Sequence, residues 1–252
     1  MSDGPLDAET ARIDALIEKK RRLAELLEER WASQIATLST SDQVFDVAIR
    51  RLFQVPIGGT WGGDKGTADR DVRSIRGTDF NMSQLRADGK DAPVRGVTES
   101  DFLGRQLRKG DLIIEKSGGG DSQPVGRVVE WSGEVDAVPT NFAARLRSRQ
   151  VVNPRFAAYL LKYLYDIGTT RAWIRQTTGI QNLDLGGFLS TKVSIPDVSI
   201  QEEIAKQLDN ALEAQLALAE AVFSQIALMQ EHRQALITAA VTGELPIPEV
   251  AA

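Results

Sequence analysis

The 252-residue sequence contains no cysteine and one histidine, His232. Disulfides are excluded, and so are zinc sites built from Cys or His. With its single imidazole in a C-terminal segment that reads as a long helix, the chain offers no histidine-based acid–base constellation. No apolar run is long enough to cross a bilayer, and no secretory or targeting segment opens the sequence. The expectation is a cytoplasmic protein without a membrane partner. Hydrophobic residues make up 42% of the chain, enough to bury a core in one domain or two.

Glycine and proline are missing altogether between Pro196 and Gly243. Within that gap Ile204, Leu208, Ala211, Leu218, Val222, Ile226, Met229, Leu236 and Ala240 trace a stripe with a mean step near the heptad value, interrupted at Gln215 and Arg233. Ser199 followed by Glu202 predicts a capping box, and Gly243 an αL stop, so a helix is expected over 199–243. At ~1.5 Å per residue it reaches on the order of 60 Å. A stripe that long needs a second helix to cover it; folding back along its own domain is the alternative.

Helical periodicity recurs over 9–41, where Ile13, Leu16, Ile17, Leu23, Leu27, Trp31, Ile35 and Leu38 share a face. The basic run Lys19 to Arg22 is surrounded by acids within one turn and reads as a solvated face rather than a nucleic-acid patch. The two ends resemble each other at one constant offset, which pairs Glu29 with Glu231, Ile35 with Ile237 and Thr40 with Thr242. Such similarity around a different middle suggests one supersecondary unit used twice with a domain between the copies. Residues 1–8 and 244–252 read as flexible tails.

The net charge of −5 divides unevenly. Residues 1–42 carry −3 and 199–252 carry −6, whereas 43–198 carry +4, with 16 arginines among their 22 basic residues. A mildly basic, arginine-rich module thus sits between acidic helices, and the arginine fork suits phosphates and guanine edges.

That module, 42–198, predicts short strands at Val72–Ile75, Asp111–Glu115, Val125–Trp131 and Phe142–Leu146. One helix is capped by Asn153, carries Pro154 in its first turn and stops at Gly168. The fold class is α+β: one mixed α/β module flanked by N- and C-terminal long coiled-coil helices. Three stretches invite enzyme readings. Ser117-Gly118-Gly119-Gly120 lacks the Gly-Lys-Ser/Thr ending of a P-loop. Asp111, Glu115 and Lys116 suggest a metal-dependent nuclease, but Glu115 and Lys116 are adjacent and would face opposite sides of a strand. Asn153-Pro154-Arg155-Phe156 has Arg155 where an adenine methyltransferase motif needs proline. No catalytic or metal site emerges.

The stretch Gly110-Asp-Leu-Ile-Ile-Glu-Lys-Ser-Gly-Gly-Gly120 with Gln123-Pro-Val-Gly-Arg-Val-Val129 resembles the specificity (S) subunits of type I restriction-modification systems. Thr178-Gly-Ile-Gln-Asn-Leu183, Ile195-Pro196 and Arg233-Gln-Ala-Leu-Ile237 follow in the family's order. The resemblance implies a non-catalytic subunit: a target recognition domain over 42–198 reads DNA, and conserved-region helices over 9–41 and 199–243 act as spacer and docking surface. It implies double-stranded DNA and methyltransferase (modification) subunits as partners, with a restriction/translocase subunit left open, and no cofactor in this chain, S-adenosylmethionine belonging to the methyltransferase. A full subunit has two recognition domains; this chain has one. Homodimer formation through the helices would restore the twofold architecture and read an interrupted palindrome, and pairing with a different half subunit would remove that symmetry. The competing function is a helical scaffold or adaptor without sequence-specific DNA binding.

The DNA-binding candidates fall into three groups. Lys116, Ser117, Gly118, Gly119 and Gln123, with Arg127 on the next strand, offer backbone amides and charge to phosphate. Gln181 and Asn182 carry the side chains that pair with adenine's major-groove edge. Base reading is expected in the polar stretches with Trp61, Lys65, Arg73, Arg76, Thr78, Asn81 and Arg86, and with Arg145, Arg147 and Arg149. The dimer or partner helices are expected to use Leu16, Leu23, Leu27 and Trp31, and Ile204, Leu208, Leu218, Val222, Ile226, Met229 and Leu236.

Overall fold

The structure, a computed structural model, describes residues 9–22, 26, 44–177 and 179–243. The chain divides into two compact units, Met1–Ser33 with Asn210–Ala252, and Gln34–Asp209. A helix α1 occupies 9–22. There follow strands β1 (Val44–Ala48), β2 (Ile57–Gly58), β3 (Arg70–Ile75), β4 (Arg86–Ala87) and β5 (Val94–Val97), then helix α2 (Glu99–Arg105). Next come β6 (Leu112–Glu115), β7 (Ser117–Gly118), β8 (Val128–Trp131), β9 (Ala137–Pro139), β10 (Ala143–Leu146) and α3 (Pro154–Asp166). The last elements are β11 (Ile174–Thr177), β12 (Ile180–Leu183), α4 (Leu185–Leu189), β13 (Lys192–Pro196) and α5 (Val198–Val241).

The larger unit is α+β, as the sequence predicts. Its central sheet has the order β2-β10-β6-β8-β4, with β6 antiparallel to both neighbours and β4 joining β8 in parallel. Every residue of β6 and β10 is buried, so both faces of the sheet are covered; β6 reads as the apolar run Leu112–Ile114 closed by Glu115, and β10 carries Arg145 among apolar neighbours. Trp131, Ile113, Val129 and Ala143 pack with Ile75, Phe80 and Leu107 into the main core. A second sheet, β5-β3-β9, carries the smaller cluster of Val72, Val97, Val138 and Phe102. Helix α3 starts where Asn153 Oδ1 accepts the Phe156 N–H at 3.0 Å, and Gly168 follows its end at φ +79°. The Asn-Pro-Arg-Phe stretch is thus a helix start.

The first three turns of α5 belong to this unit. Gln201 is fully buried; its Oε1 accepts the Asn153 N–H at 2.9 Å and its Nε2 donates to Pro196 O at 2.7 Å. The helix begins at Val198, so Ser199 lies in the first turn and is not its cap, a correction to the expected capping box. Gly243 adopts φ +77° beyond the last turn, as the αL stop requires.

In the smaller unit Ile13 and Ile17 of α1 pack against Val222 and Ile226 of α5, with Met229 and Leu236 beside them. The buried positions of α5, Gln201, Ala205, Leu208, Leu212, Val222, Ile226 and Ala240, are joined by the partly buried Gln215, Ala219, Met229, Arg233 and Leu236 into an unbroken alternation of four and three. Gln215 and Arg233 are therefore seam positions and not interruptions. Reading only apolar residues displaced the expected stripe at Ile204, Ala211 and Leu218; Leu218 is 44% exposed. Arg233 is held in the seam by Asp14 on α1, Nε to Oδ1 at 2.8 Å. Leu16 lies off the seam at 37% exposure. Leu23, Leu27 and Trp31 lie outside the described residues, as do both expected tails. A further correction concerns apolar length: by length and composition alone α5 suffices to cross a bilayer.

Candidate nucleic-acid interface

Many of the exposed candidates meet where β6 ends. Phe142 O accepts two N–H groups there, from Lys116 at 2.7 Å and Ser117 at 3.1 Å. Strand β7 then pairs with β12, Ser117 opposite Asn182 and Gly118 opposite Gln181, and Ser117 Oγ donates to Asn182 Oδ1 at 2.6 Å. Gln181 is buried; its Oε1 accepts the Val125 N–H at 3.1 Å and fixes the far side of the 118–125 loop. Gly119 sits at φ +69°, and a Cβ there would stand 2.5 Å from Val125 N, so the loop shape demands glycine. Gly120 N donates to Gln123 O at 3.0 Å, leaving the Gln123 side chain exposed. Lys116 Nζ comes close over the backbone of Gly58, where a Cβ would lie 3.3 Å from it.

The neighbouring loop carries Trp61 and Lys65. It is pinned to the β9–β10 connection: Thr60 N donates to Pro139 O at 3.0 Å, and a Cβ on Gly59 would meet that oxygen at 2.1 Å. The Trp61 and Phe142 rings stand edge to face with centroids 5.9 Å apart. The Arg95 guanidinium lies 5.3 Å from the Trp61 ring centroid and pairs with Asp64 at 2.8 Å. Lys65 is exposed at the turn.

The other arginines are held by internal partners. Arg127 grips Glu115 through Nε at 2.8 Å and a second N–H, and reaches Gly77 O at 3.2 Å; the hydrogen bond to Glu115 raises its pKa. Arg147 makes two bonds of 2.7 Å to the buried Asp111, which likewise raise its pKa. Arg145 is 8% exposed, donates to Gln106 O at 2.8 Å, and has its pKa lowered by burial. Arg73 donates to Ala92 O at 2.6 Å and Arg149 to Phe53 O at 2.7 Å. These five guanidinium groups tie the sheets and loops together. The Asp111, Glu115 and Lys116 stretch is thereby accounted for as two ion-paired carboxylates beside a separate lysine.

A third set lies along 76–86. Arg76 pairs with Asp79 at 2.8 Å, Thr78 is exposed, and Asn81 Oδ1 accepts from Ser83 Oγ at 2.8 Å. Arg86 stands 4.0 Å from Glu130 and 3.8 Å from Asp209. Arg127 joins this set to the first, because the Gly77 carbonyl rests on its guanidinium. Sequence reasoning missed Phe142, Arg95 and the β11–β12 hairpin. An exposed aromatic at a strand start carries no signal until its neighbour is known.

No family model matches the chain, and no curated protein matches it. Solved structures do. The HsdS subunit from Thermoanaerobacter tengcongensis matches with a TM-score of 0.58 at 16% identity, over 95% of this chain and 59% of that one. A structure on complex assembly and conformational transition of the type I R-M system matches with a TM-score of 0.62 at 17% identity, over 95% and 60%. The S subunit of the type I restriction-modification system from M. genitalium matches with a TM-score of 0.50 at 13% identity, over 98% and 60%. The chain thus has the fold of type I restriction-modification S subunits and spans about three fifths of their length.

Proposed function

We propose that the chain is the DNA-recognition subunit of a type I restriction-modification complex, in a half-length form with one target recognition domain. The observation that carries this reading is the likeness of fold to S subunits across nearly the whole chain. The larger unit reads a half-site. The exposed group of Trp61, Lys65, Lys116, Ser117, Gly118, Gly119, Gln123 and Asn182 faces the duplex, with Arg76, Thr78, Asn81 and Arg86 extending it. Arg127, Arg145 and Arg147 serve the domain's interior.

The helices dock methyltransferase subunits and pair two copies into a homodimer that reads an interrupted palindrome. Leu218 and Leu228, exposed on one side of α5 and left uncovered by α1 among the described residues, support that pairing. The chain itself is non-catalytic, acts in the cytoplasm and carries no cofactor; S-adenosylmethionine belongs to the methyltransferase.

The deciding experiment assembles the chain with methyltransferase subunits and maps modified bases in DNA exposed to the complex. An interrupted palindrome is the expected pattern. Modification without sequence preference, together with no salt-dependent binding to random duplex, would instead support a scaffold.

A further inference from the structure

We infer that Trp61, braced edge to face by Phe142, offers a stacking face for a nucleobase of duplex DNA, at a base step that the bound protein opens. The inference rests on the DNA-recognition reading above and specifies its mode of contact. Trp61 is 50% exposed and Phe142 45% exposed, in a domain that elsewhere encloses Trp131, Phe53, Phe156 and Phe188 completely or nearly so. One exposed ring is ordinary; here Trp61 and Phe142 meet edge to face, so one ring braces the other and both remain half in water.

The pair is held in place before any partner arrives. Gly59 presses the Trp61 loop onto Pro139 and Thr140, and the Phe142 carbonyl is locked by the Lys116 and Ser117 amides. Preorganised rings lose little entropy when a partner stacks on them.

The surrounding charge selects the partner. Lys116 Nζ sits over Gly58, three residues before Trp61, and Lys65 is exposed in the turn four residues after it; neither lysine makes an ion pair among the described residues, and the nearby Asp64 is paired with Arg95. Arg95 stacks its guanidinium over the Trp61 ring. An exposed aromatic ring in a loop region that also carries lysines without ion pairs fits a base plane with its phosphates, the combination by which stacking platforms hold nucleic acid. In a duplex both faces of a base are covered by its neighbours. Stacking on Trp61 therefore requires a locally opened step, as apolar wedges produce.

The test uses a random-sequence duplex pool in which 2-aminopurine replaces a fraction of the adenines, titrated with the full chain alone at several salt concentrations. Binding by the unaltered protein is expected to raise the 2-aminopurine fluorescence as the base unstacks. Trp61→Ala should bind about ten-fold more weakly and lose the rise while keeping the salt slope. Trp61→Phe should retain most of both. If Trp61→Ala fails to fold, Phe142→Leu carries the same comparison. Tight binding with no fluorescence rise, or a Trp61→Ala protein that behaves like the original, overturns the stacking face and leaves DNA recognition standing. Absence of any salt-dependent binding overturns both.

Discussion

Arg155 Nε donates to Asp209 Oδ1 across 2.7 Å, joining α3 to the third turn of α5. The remaining four N–H groups of the same guanidinium reach Leu85 O at 3.2 Å, Gln84 O at 3.0 Å, Glu130 Oε2 at 3.5 Å and the Tyr159 hydroxyl at 2.9 Å. All five donors are used. Leu85 is the one non-glycine residue with positive φ, at +52°, among the described residues, and the carbonyls on either side of its peptide are the ones Arg155 holds. Arginine is needed here because lysine has three donors and no fork. Arg155→Ala should cost about 2–3 kcal/mol, since the Gln84 carbonyl loses its donor and Asp209 keeps only the Tyr159 hydroxyl and the more distant Arg86. Chemical denaturation of the larger unit measures this. Arg155→Lys should recover little, and a cost below about 1 kcal/mol would show that the hub is dispensable.

Glu130 faces this hub, and burial raises its pKa from the ordinary 4.5 despite the opposing pull of Arg155 and Arg86. A carboxyl whose folded pKa is raised adds stability that is complete below 4.5 and is lost as pH rises through the folded value. Glu130→Gln should therefore be no less stable than the original protein at neutral pH. The difference between the two should move in favour of the original as the solution is acidified towards pH 4.5. Melting both proteins across that range checks the sign. A variant that is less stable at neutral pH would show that the ion pairs outweigh burial.

Much of the fold was legible in the sequence because its signals were local. The long helix announced itself by missing glycine and proline, and the helix at Pro154 by its cap. The four predicted strand stretches overlap β3, β6, β8 and β10, whereas β1, which is mostly exposed, shows no buried run. The two-residue strands β2, β4 and β7 carry no such pattern; pairing partners far along the chain create them. Helix α4 contains Gly186 and Gly187, which helix propensity disfavours, yet Gly187 is forced by Trp173, whose ring would lie 2.3 Å from a Cβ. The arginines were legible as a charge excess but not as partners: Arg127, Arg145 and Arg147 look like DNA readers until Glu115, Gln106 and Asp111 are found beside them.

Those partners predict opposite outcomes for two basic residues close together. Lys116→Ala should leave thermal stability nearly unchanged and lower the salt slope of duplex binding by about one unit, as expected for one lost phosphate contact. Arg127→Ala should instead destabilise the domain by about 3–5 kcal/mol, because Glu115 is 7% exposed and would be left unpaired. Parallel melting and binding curves separate the two. Equal loss of salt slope for both, with stability intact, would place Arg127 on the DNA.

The helical seam separates folding from assembly in the same way. Val222 and Ile226 are 3% and 7% exposed against α1, so aspartate at either should unfold the smaller unit. Leu218 and Leu228 are 44% and 64% exposed. If two copies pair through this face, aspartate at both should leave the helix content intact and abolish the pairing. Sedimentation with circular dichroism reads both quantities. A folded, dimeric double variant would remove this face from the interface.

If two copies pair through their helices, the length of α5 sets the gap between half-sites. Seven residues inserted after Gln215 continue the three-four alternation, so the seam keeps facing its partner while the helix gains ~10 Å. A matching seven residues in the N-terminal segment ahead of β1 preserve its pairing with α5. Both copies carry the change, and at ~3.4 Å per base pair the recognition domains move apart by roughly three base pairs. The half-site sequences depend on the larger unit alone and should stay the same while the non-specific spacer lengthens. Rotation matters too, because three base pairs turn the far half-site by more than a quarter of the ~10–10.5 base pairs in a helical turn, and the helices must twist to follow it. A methyltransferase complex assembled on the inserted protein should therefore modify fewer sites, all with the longer spacer. Mapping methylated sites for both proteins decides the matter: activity recovered at the original spacing would mean that α5 does not set the distance.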